Sequence, residues 1–390
     1  MIFVNARLVF PEGIREGLEL VVENGKIAAI SEQSHKRGKE IVDLRGSYLA
    51  PGFVDLHIHG ALGRDTMEGS AEAFQTICDY HAAGGTTSLL LTTTTAPIPT
   101  VLDVLNAVRK WSDRRAGRSH PPFATIAGVH VEGPFISKDK CGAQCTQFIQ
   151  DPSDASVHQL LDHADVIKRI TIAPELHGAL EAIENFHTRG TSVSGGHSNA
   201  WEEEARRGFE CGMRSVTHTF NCMSGTRRRG IYRVAGLLEF ALSEPQISCE
   251  LIADGHHVSA TLMKMLYRAK GPRGICLVTD ATAGAGLPDR SPFSLSGTDC
   301  IVEDGVCLLA DRSALAGSAS RMIDLVRTMV VKVNLPLHEA VTMATENPAR
   351  AIGLDSKGRL NVGSDADLVV LSPELELLRT FSGGKEVFSN

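Results

Sequence analysis

A chain of 390 residues exceeds one typical domain and suits one large barrel with a small companion. Its net charge of −7 excludes the broad basic face of a nucleic-acid protein, while leaving room for a local basic pocket. The 43% hydrophobic and 22% charged composition is that of a globular enzyme, and no uncharged apolar run reaches the ~18 residues of a membrane span.

Residues 1–11 show no basic segment followed by an apolar core, so no signal peptide is expected. Residues 2–10 and 18–30 read as short strands, with turn chemistry at Glu23-Asn24-Gly25-Lys26. The middle then alternates. Apolar runs at 52–58, 87–91, 126–131, 167–172, 191–194, 215–219, 247–252 and 274–279 each precede a helix-like stretch, clearest at 71–83, 101–114 and 260–270. Eight such units predict an α/β fold, a closed (β/α)8 TIM-like barrel. The open doubly wound sheet is disfavoured, because no Gly-x-Gly-x-x-Gly follows the first strand. The C-terminal segment returns to strands at 366–371 and 376–380, with a Gly383-Gly384 turn. Two β-rich ends predict a small discontinuous β-sandwich domain, residues 1–50 and 355–390, beside a barrel at 51–354. Nine scattered cysteines point to thiols in a reducing cytoplasm rather than to a disulfide framework.

In such barrels the chemistry sits at the C-terminal ends of the strands. The polar residues that close the apolar runs are therefore expected to converge: His57, His59, His130, Glu132, His197, His218, His257 and Asp280. Residues two apart on a strand point to one side, so His57 and His59 form a bidentate pair for a transition metal. An isolated His-x-His is equally often a satisfied polar pair; at the end of the first strand the metal reading prevails. His197 and His218 are lone histidines, each more often structural than ligating. With Glu132 they make two histidines and a carboxylate, a set that leaves a position open for water. Asp280 has the profile of a general base beside such a water, against the plainer role of helix cap. The fourth strand ends Thr171-Ile172-Ala173-Pro174-Glu175, without the lysine that bridges many binuclear amidohydrolases. Glu132 would have to be the bridge.

These motifs, in this order, resemble the N-acetylglucosamine-6-phosphate deacetylase family of the amidohydrolase superfamily. The resemblance runs from Pro51-Gly52-Phe53-Val54-Asp55 through the His-x-Glu-Gly-Pro-Phe at 130–135, Gly196-His197-Ser198 and Thr217-His218-Thr219-Phe220-Asn221-Cys222-Met223. It continues through Asp254-Gly255-His256-His257, Thr279-Asp280-Ala281, Leu315-Ala316-Gly317-Ser318 and Asn347-Pro348-Ala349-Arg350. It implies hydrolysis of the acetamide of a 6-phosphorylated amino sugar. Glu132, His197 and His218 become metal ligands and Asp280 the acid/base. The retained His57 and His59 imply a second ion, so one or two divalent ions per subunit, zinc or alternatively iron. The implied substrate contacts are Ala143, Gln144, Asn221, Cys222, Asp254, His257, Leu315, Ala316 and Gly317. Arg229 takes the place of a phosphate-binding arginine supplied by a neighbouring subunit, which implies a homodimer. The alternatives are a deacetylase for N-acetylgalactosamine 6-phosphate and a D-aminoacylase-like amidohydrolase. A non-catalytic scaffold would have lost ligands that this chain keeps.

Two departures stand out. The family's Gly-Ala-His-Pro reads Gly142-Ala143-Gln144-Cys145 here, so a neutral amide replaces a histidine expected to polarise the acetyl carbonyl. The family's His-His-Arg-Glu-Pro-Gly becomes Arg227-Arg228-Arg229-Gly230-Ile231-Tyr232, which keeps the arginine and changes its loop. A guanidinium fork still suits phosphate.

Overall fold

The computed structural model describes residues 1–32, 40–114, 123–295 and 297–390. Its centre is eight parallel strands: β1 (Phe53–Ile58), β2 (Thr86–Thr92), β3 (Thr125–Glu132), β4 (Ile167–Ile172), β5 (Ser192–Gly195), β6 (Met213–Val216), β7 (Ser248–Leu251) and β8 (Ile275–Leu277). They are hydrogen-bonded in chain order. The ring closes beyond β8, where Ile58 bridges Ala281 in parallel. Asp280 N donates to His57 O at 2.9 Å and His59 N donates to Ala281 O at 2.8 Å. The seam of the barrel therefore runs through three of the residues singled out above.

Strands covered on both faces must be apolar almost throughout, which is why these runs show little alternation. All six residues of β1 and all seven of β2 are buried. Helices supply the outer cover. Ala71–Ala82 buries Phe74, Ile77 and Cys78 on one face, and Ser70 caps its start by accepting from Ala73 N at 3.1 Å. The second helix, Ile98–Asp113, begins three residues before the predicted 101 because Pro99 fits the first turn, where no N–H is needed. Ala260–Lys270 falls where the spacing predicts it.

The two ends of the chain meet in one sheet. Tyr48–Pro51, Arg7–Phe10 and Gly13–Arg15 lie in one six-stranded sheet with Leu368–Leu371, Leu377–Ser382 and Lys385–Ser389. A four-stranded sheet of N-terminal segments faces it. Phe3, Leu20 and Ile27 of the latter pack with Leu8, Leu49, Leu368 and Phe381 of the former in one core, and the Phe3 and Phe381 rings meet edge to face at 5.1 Å. A three-stranded sheet was not anticipated from the sequence: Pro292–Leu295, Thr298–Glu303 and Val306–Leu309, antiparallel, inserted after β8.

Candidate metal centre

Six of the expected residues converge at the C-terminal ends of the barrel strands. His57 and His59 arrive from the end of β1, Glu132 from β3, and His197, His218 and Asp280 from the turns that follow β5, β6 and β8. His197, His218 and Asp280 have φ of 46°, 29° and 50°, the left-handed region that such residues rarely adopt. Backbone strain of this kind persists where the surroundings hold it, and it clusters at functional sites. All six residues are buried, none more than 9% exposed.

They form two groups joined by one carboxylate. Glu132 Oε1 lies 3.2 Å from His197 Nε2 and 3.1 Å from His218 Nε2, and those two nitrogens are 3.0 Å apart. Glu132 Oε2 lies 3.3 Å from His59 Nε2. His57 Nε2 and His59 Nε2 are 3.2 Å apart and lie 3.4 and 3.2 Å from Asp280 Oδ1. Either triad, Glu132-His197-His218 or His57-His59-Asp280, can offer three donor atoms to one ion.

The chemistry of this donor set fits a divalent cation. His197 Nδ1 sits 2.8 Å from Lys140 O, which can only accept, so in its neutral, metal-binding form the ring turns its Nε2 lone pair inward. His57 Nδ1 faces Glu250 Oε2 at 3.3 Å with the same consequence. Lone pairs and carboxylate oxygens thus crowd together, an arrangement that favours positive charge between them. The electrostatics agree. Burial alone would lower the His59 imidazole, yet hydrogen bonds to Asp280 and Glu132 lift it to about 9. Burial would raise the Asp280 carboxyl, yet His57 and His59 pull it down to about 2. Glu132 is held well below its ordinary range in the same way, against burial, by His57 and His197. Both carboxylates are ionised at neutral pH.

The centre opens onto a cavity of ≈ 240 Å³, room for one small ligand. Of the expected substrate contacts, Ala143, Gln144, Asn221, Cys222, His257, Leu315 and Gly317 line it. The loop at 142–144 comes close because residue 142 is glycine: its φ is 57° and a Cβ there would meet Cys222 Sγ at 2.6 Å. Gly317 is constrained likewise, with φ of 63° and a would-be Cβ 2.4 Å from Thr282 Cγ2. Three expected contacts do not line the cavity. Ala316 is fully buried behind the wall. Asp254 instead holds His257, accepting from its Nδ1 at 2.7 Å. Arg229 stands in an exposed hairpin, Arg227–Arg229 paired with Tyr232–Val234, where it meets Glu203 at 2.5 Å and stacks over the Trp201 ring at 4.1 Å. His130 joins neither triad. It is buried, bonded to Thr171 Oγ1 at 2.8 Å, with its ring 4.6 Å from that of His57.

Sequence reasoning missed the residues beneath the centre. Glu250 in β7 and Arg169 in β4 are buried inside the barrel. Asp55 accepts from Thr279 Oγ1 at 2.7 Å and ties β1 to the end of β8. The signal was charge inside a barrel strand, Glu250 in Ser-Cys-Glu-Leu and the Lys168-Arg169 pair in Ile-Lys-Arg-Ile-Thr-Ile.

The chain matches the amidohydrolase family over residues 48–387. It is 34% identical to the N-acetylglucosamine-6-phosphate deacetylase of Lysinibacillus sphaericus, over 99% of this chain and 97% of that protein. It is 30% identical to the N-acetylgalactosamine-6-phosphate deacetylase of Escherichia coli O157:H7, over 97% of each. The crystal structure of N-acetylglucosamine-6-phosphate deacetylase from Pasteurella multocida superposes with a TM-score of 0.92 at 32% identity, over 100% of this chain and 99% of the other. Barrel, site and relatives agree: the chain belongs to the N-acetylglucosamine-6-phosphate deacetylase family of amidohydrolases.

Proposed function

We propose that the protein hydrolyses the acetamide of N-acetylglucosamine 6-phosphate, giving glucosamine 6-phosphate and acetate, in the catabolism of amino sugars. The observation that carries this reading is the pair of buried triads, linked by Glu132 of one reaching His59 of the other, beside a cavity sized for one small ligand. Glu132, His197 and His218 would hold one divalent ion; His57, His59 and Asp280 would face a second, with Glu132 between them. Zinc suits the nitrogen-rich donors, and ferrous iron is the alternative. When bound, such an ion supplies Lewis acidity toward the amide carbonyl and makes water nucleophilic at neutral pH.

The chain's own groups do the rest. Asp280, ionised and beside the cavity, takes a proton from the attacking water and passes it to the departing amine. Gln144, Ala143 and His257 shape the place of the acetamide. Leu315 and Gly317 form the wall against the sugar. Asn221 and the backbone of Cys222 receive the phosphate, with Arg229 of a second subunit completing its site. Exposed apolar residues support that docking of the hairpin: Ile231 is 84% and Tyr232 70% exposed beside Arg229. The working form is therefore a homodimer. The terminal sheets, residues 1–50 and 355–390, act as one discontinuous β-domain supporting the barrel at 51–354. Eight of the cysteines, Cys141 through Cys307, are free thiols, which suits a reducing cytoplasm. Among the described residues, no helix is long and apolar enough to cross a membrane.

Amine release across a panel of N-acetylated hexosamines, with and without 6-phosphate, alongside metal analysis, tests the reading. The gluco epimer with its phosphate is expected to turn over fastest. Equal turnover of unphosphorylated N-acetylglucosamine would sink the phosphate site, and preference for the galacto epimer would move the substrate to the alternative in the family.

A further inference from the structure

Below the two triads lies a charged pair that touches no part of the cavity. Glu250 projects from β7 and Arg169 from β4, and they are 1% and 0% exposed. Arg169 Nη2 lies 2.8 Å from Glu250 Oε1. The guanidinium is itself fixed, donating to Ser194 Oγ at 3.0 Å and Ser192 Oγ at 3.2 Å. The other carboxylate oxygen, Glu250 Oε2, faces His57 Nδ1 at 3.3 Å and accepts from the backbone N of His218 at 3.2 Å.

A buried ion pair costs more than apolar side chains of equal volume would. Its placement here has a chemical use. A neutral imidazole carries one N–H, and the nitrogen facing a carboxylate carries it, which leaves the other nitrogen as a donor to a metal. His57 Nε2 lies 3.4 Å from both Glu132 Oε1 and Asp280 Oδ1, so with a cation among these groups Glu250 keeps the proton of His57 on Nδ1 and its lone pair on Nε2. His59 has no such hold, for its Nδ1 finds no partner among the described residues. In the first triad, His197 is oriented separately by Lys140 O, and His218 touches Glu250 only through its backbone.

We infer that Glu250, locked by Arg169, is a positioning residue that sets the tautomer and aim of His57 and so governs whether the second cation site fills. The inference rests on the two-ion reading given above. Glu250→Gln is nearly isosteric but loses the charge that pairs with Arg169 and has one oxygen left to meet Arg169, His57 Nδ1 and His218 N. An amide N–H turned toward His57 Nδ1 favours the wrong tautomer.

The test is zinc titration of the chelator-stripped enzyme, parent and variant, with cobalt substitution as a spectroscopic check on each equivalent. The parent is expected to bind two equivalents. The variant should keep the first near parental affinity and lose affinity for the second by ~10- to 100-fold, with the cobalt absorption of the second equivalent altered. Equal weakening of both equivalents would mark a merely structural role and overturn the inference. Parental affinity at the second equivalent would overturn it too. A parent that binds one equivalent would instead overturn the two-ion reading, and the inference with it. If the single variant does not fold, Glu250→Gln combined with Arg169→Met removes both charges together, and the same selective loss is expected.

Discussion

Gln144 links two groups that otherwise do not meet. Thr95 N donates to its Oε1 at 2.7 Å, so its Nε2 must face Glu132, and it donates to Glu132 Oε2 at 2.7 Å. A residue expected only to contact substrate thus also clamps the carboxylate between the triads. Gln144→Ala should lower kcat/KM by ~10²-fold, the usual scale for a lost donor near a developing oxyanion. Steady-state kinetics on the phosphorylated sugar decide this; an unchanged kcat/KM would remove Gln144 from the site. The contrast with Glu250 shows what is legible at this scale. His57 and His59 could be read from strand periodicity, because residues two apart share a side wherever the strand lies. Glu250 and Arg169 could not, since a charge in a strand usually faces solvent. Only closure of the barrel turns both inward.

The elements follow the same logic. The eight apolar runs were legible because strands buried on both faces must be apolar, and the amphipathic helices because one face meets those strands. The three-stranded insertion was missed although its turn was written plainly: Glu303-Asp304-Gly305-Val306 joins two strands through Asp304 and Gly305 at φ of 52° and 74°, the usual chemistry of a two-residue hairpin. Its strands are short and half-exposed, so periodicity is weak there. It matters because Leu295 at its edge lines the cavity. At the other end, Asp365 pins the C-terminal segment to the N-terminal sheet. It accepts from Lys26 Nζ at 2.5 Å and lies 3.2 Å from Lys357 Nζ. Burial raises its pKa, but these lysines win and hold it below its ordinary value. Its contribution to stability is then fully present above the unfolded value of about 3.9 and is lost as pH falls through the lower folded value. Asp365→Asn should therefore be less stable than the parent at neutral pH, and the gap should close below about pH 4. Denaturant unfolding at a series of pH values measures it; a gap independent of pH would show that the lysine contacts add nothing.

At the scale of the whole molecule, the described residues of one chain place no lysine or arginine in the lining of the cavity, including the end proposed for phosphate. Asn221 and Cys222 line it, while Arg229 stands away from it in a hairpin braced by Glu203 and Trp201. The sequence pointed to this residue only through its resemblance to relatives, because no pattern within one chain encodes which copy receives a side chain. In the proposed two-fold dimer the same hairpin of each subunit would reach the other's site. Complementation separates the two arrangements. Asp280→Asn removes the acid/base and Arg229→Ala removes the guanidinium, so each homodimer should be nearly inactive toward the phosphorylated sugar. Co-expression produces mixed dimers. If the arginine acts across the interface, one of the two sites in each mixed dimer has its own Asp280 and an intact Arg229 of the partner subunit. Activity should then recover to about a quarter of the parental rate under random pairing. If the arginine serves its own chain, every site in the mixed dimer lacks one group or the other, and activity stays at the level of the single variants.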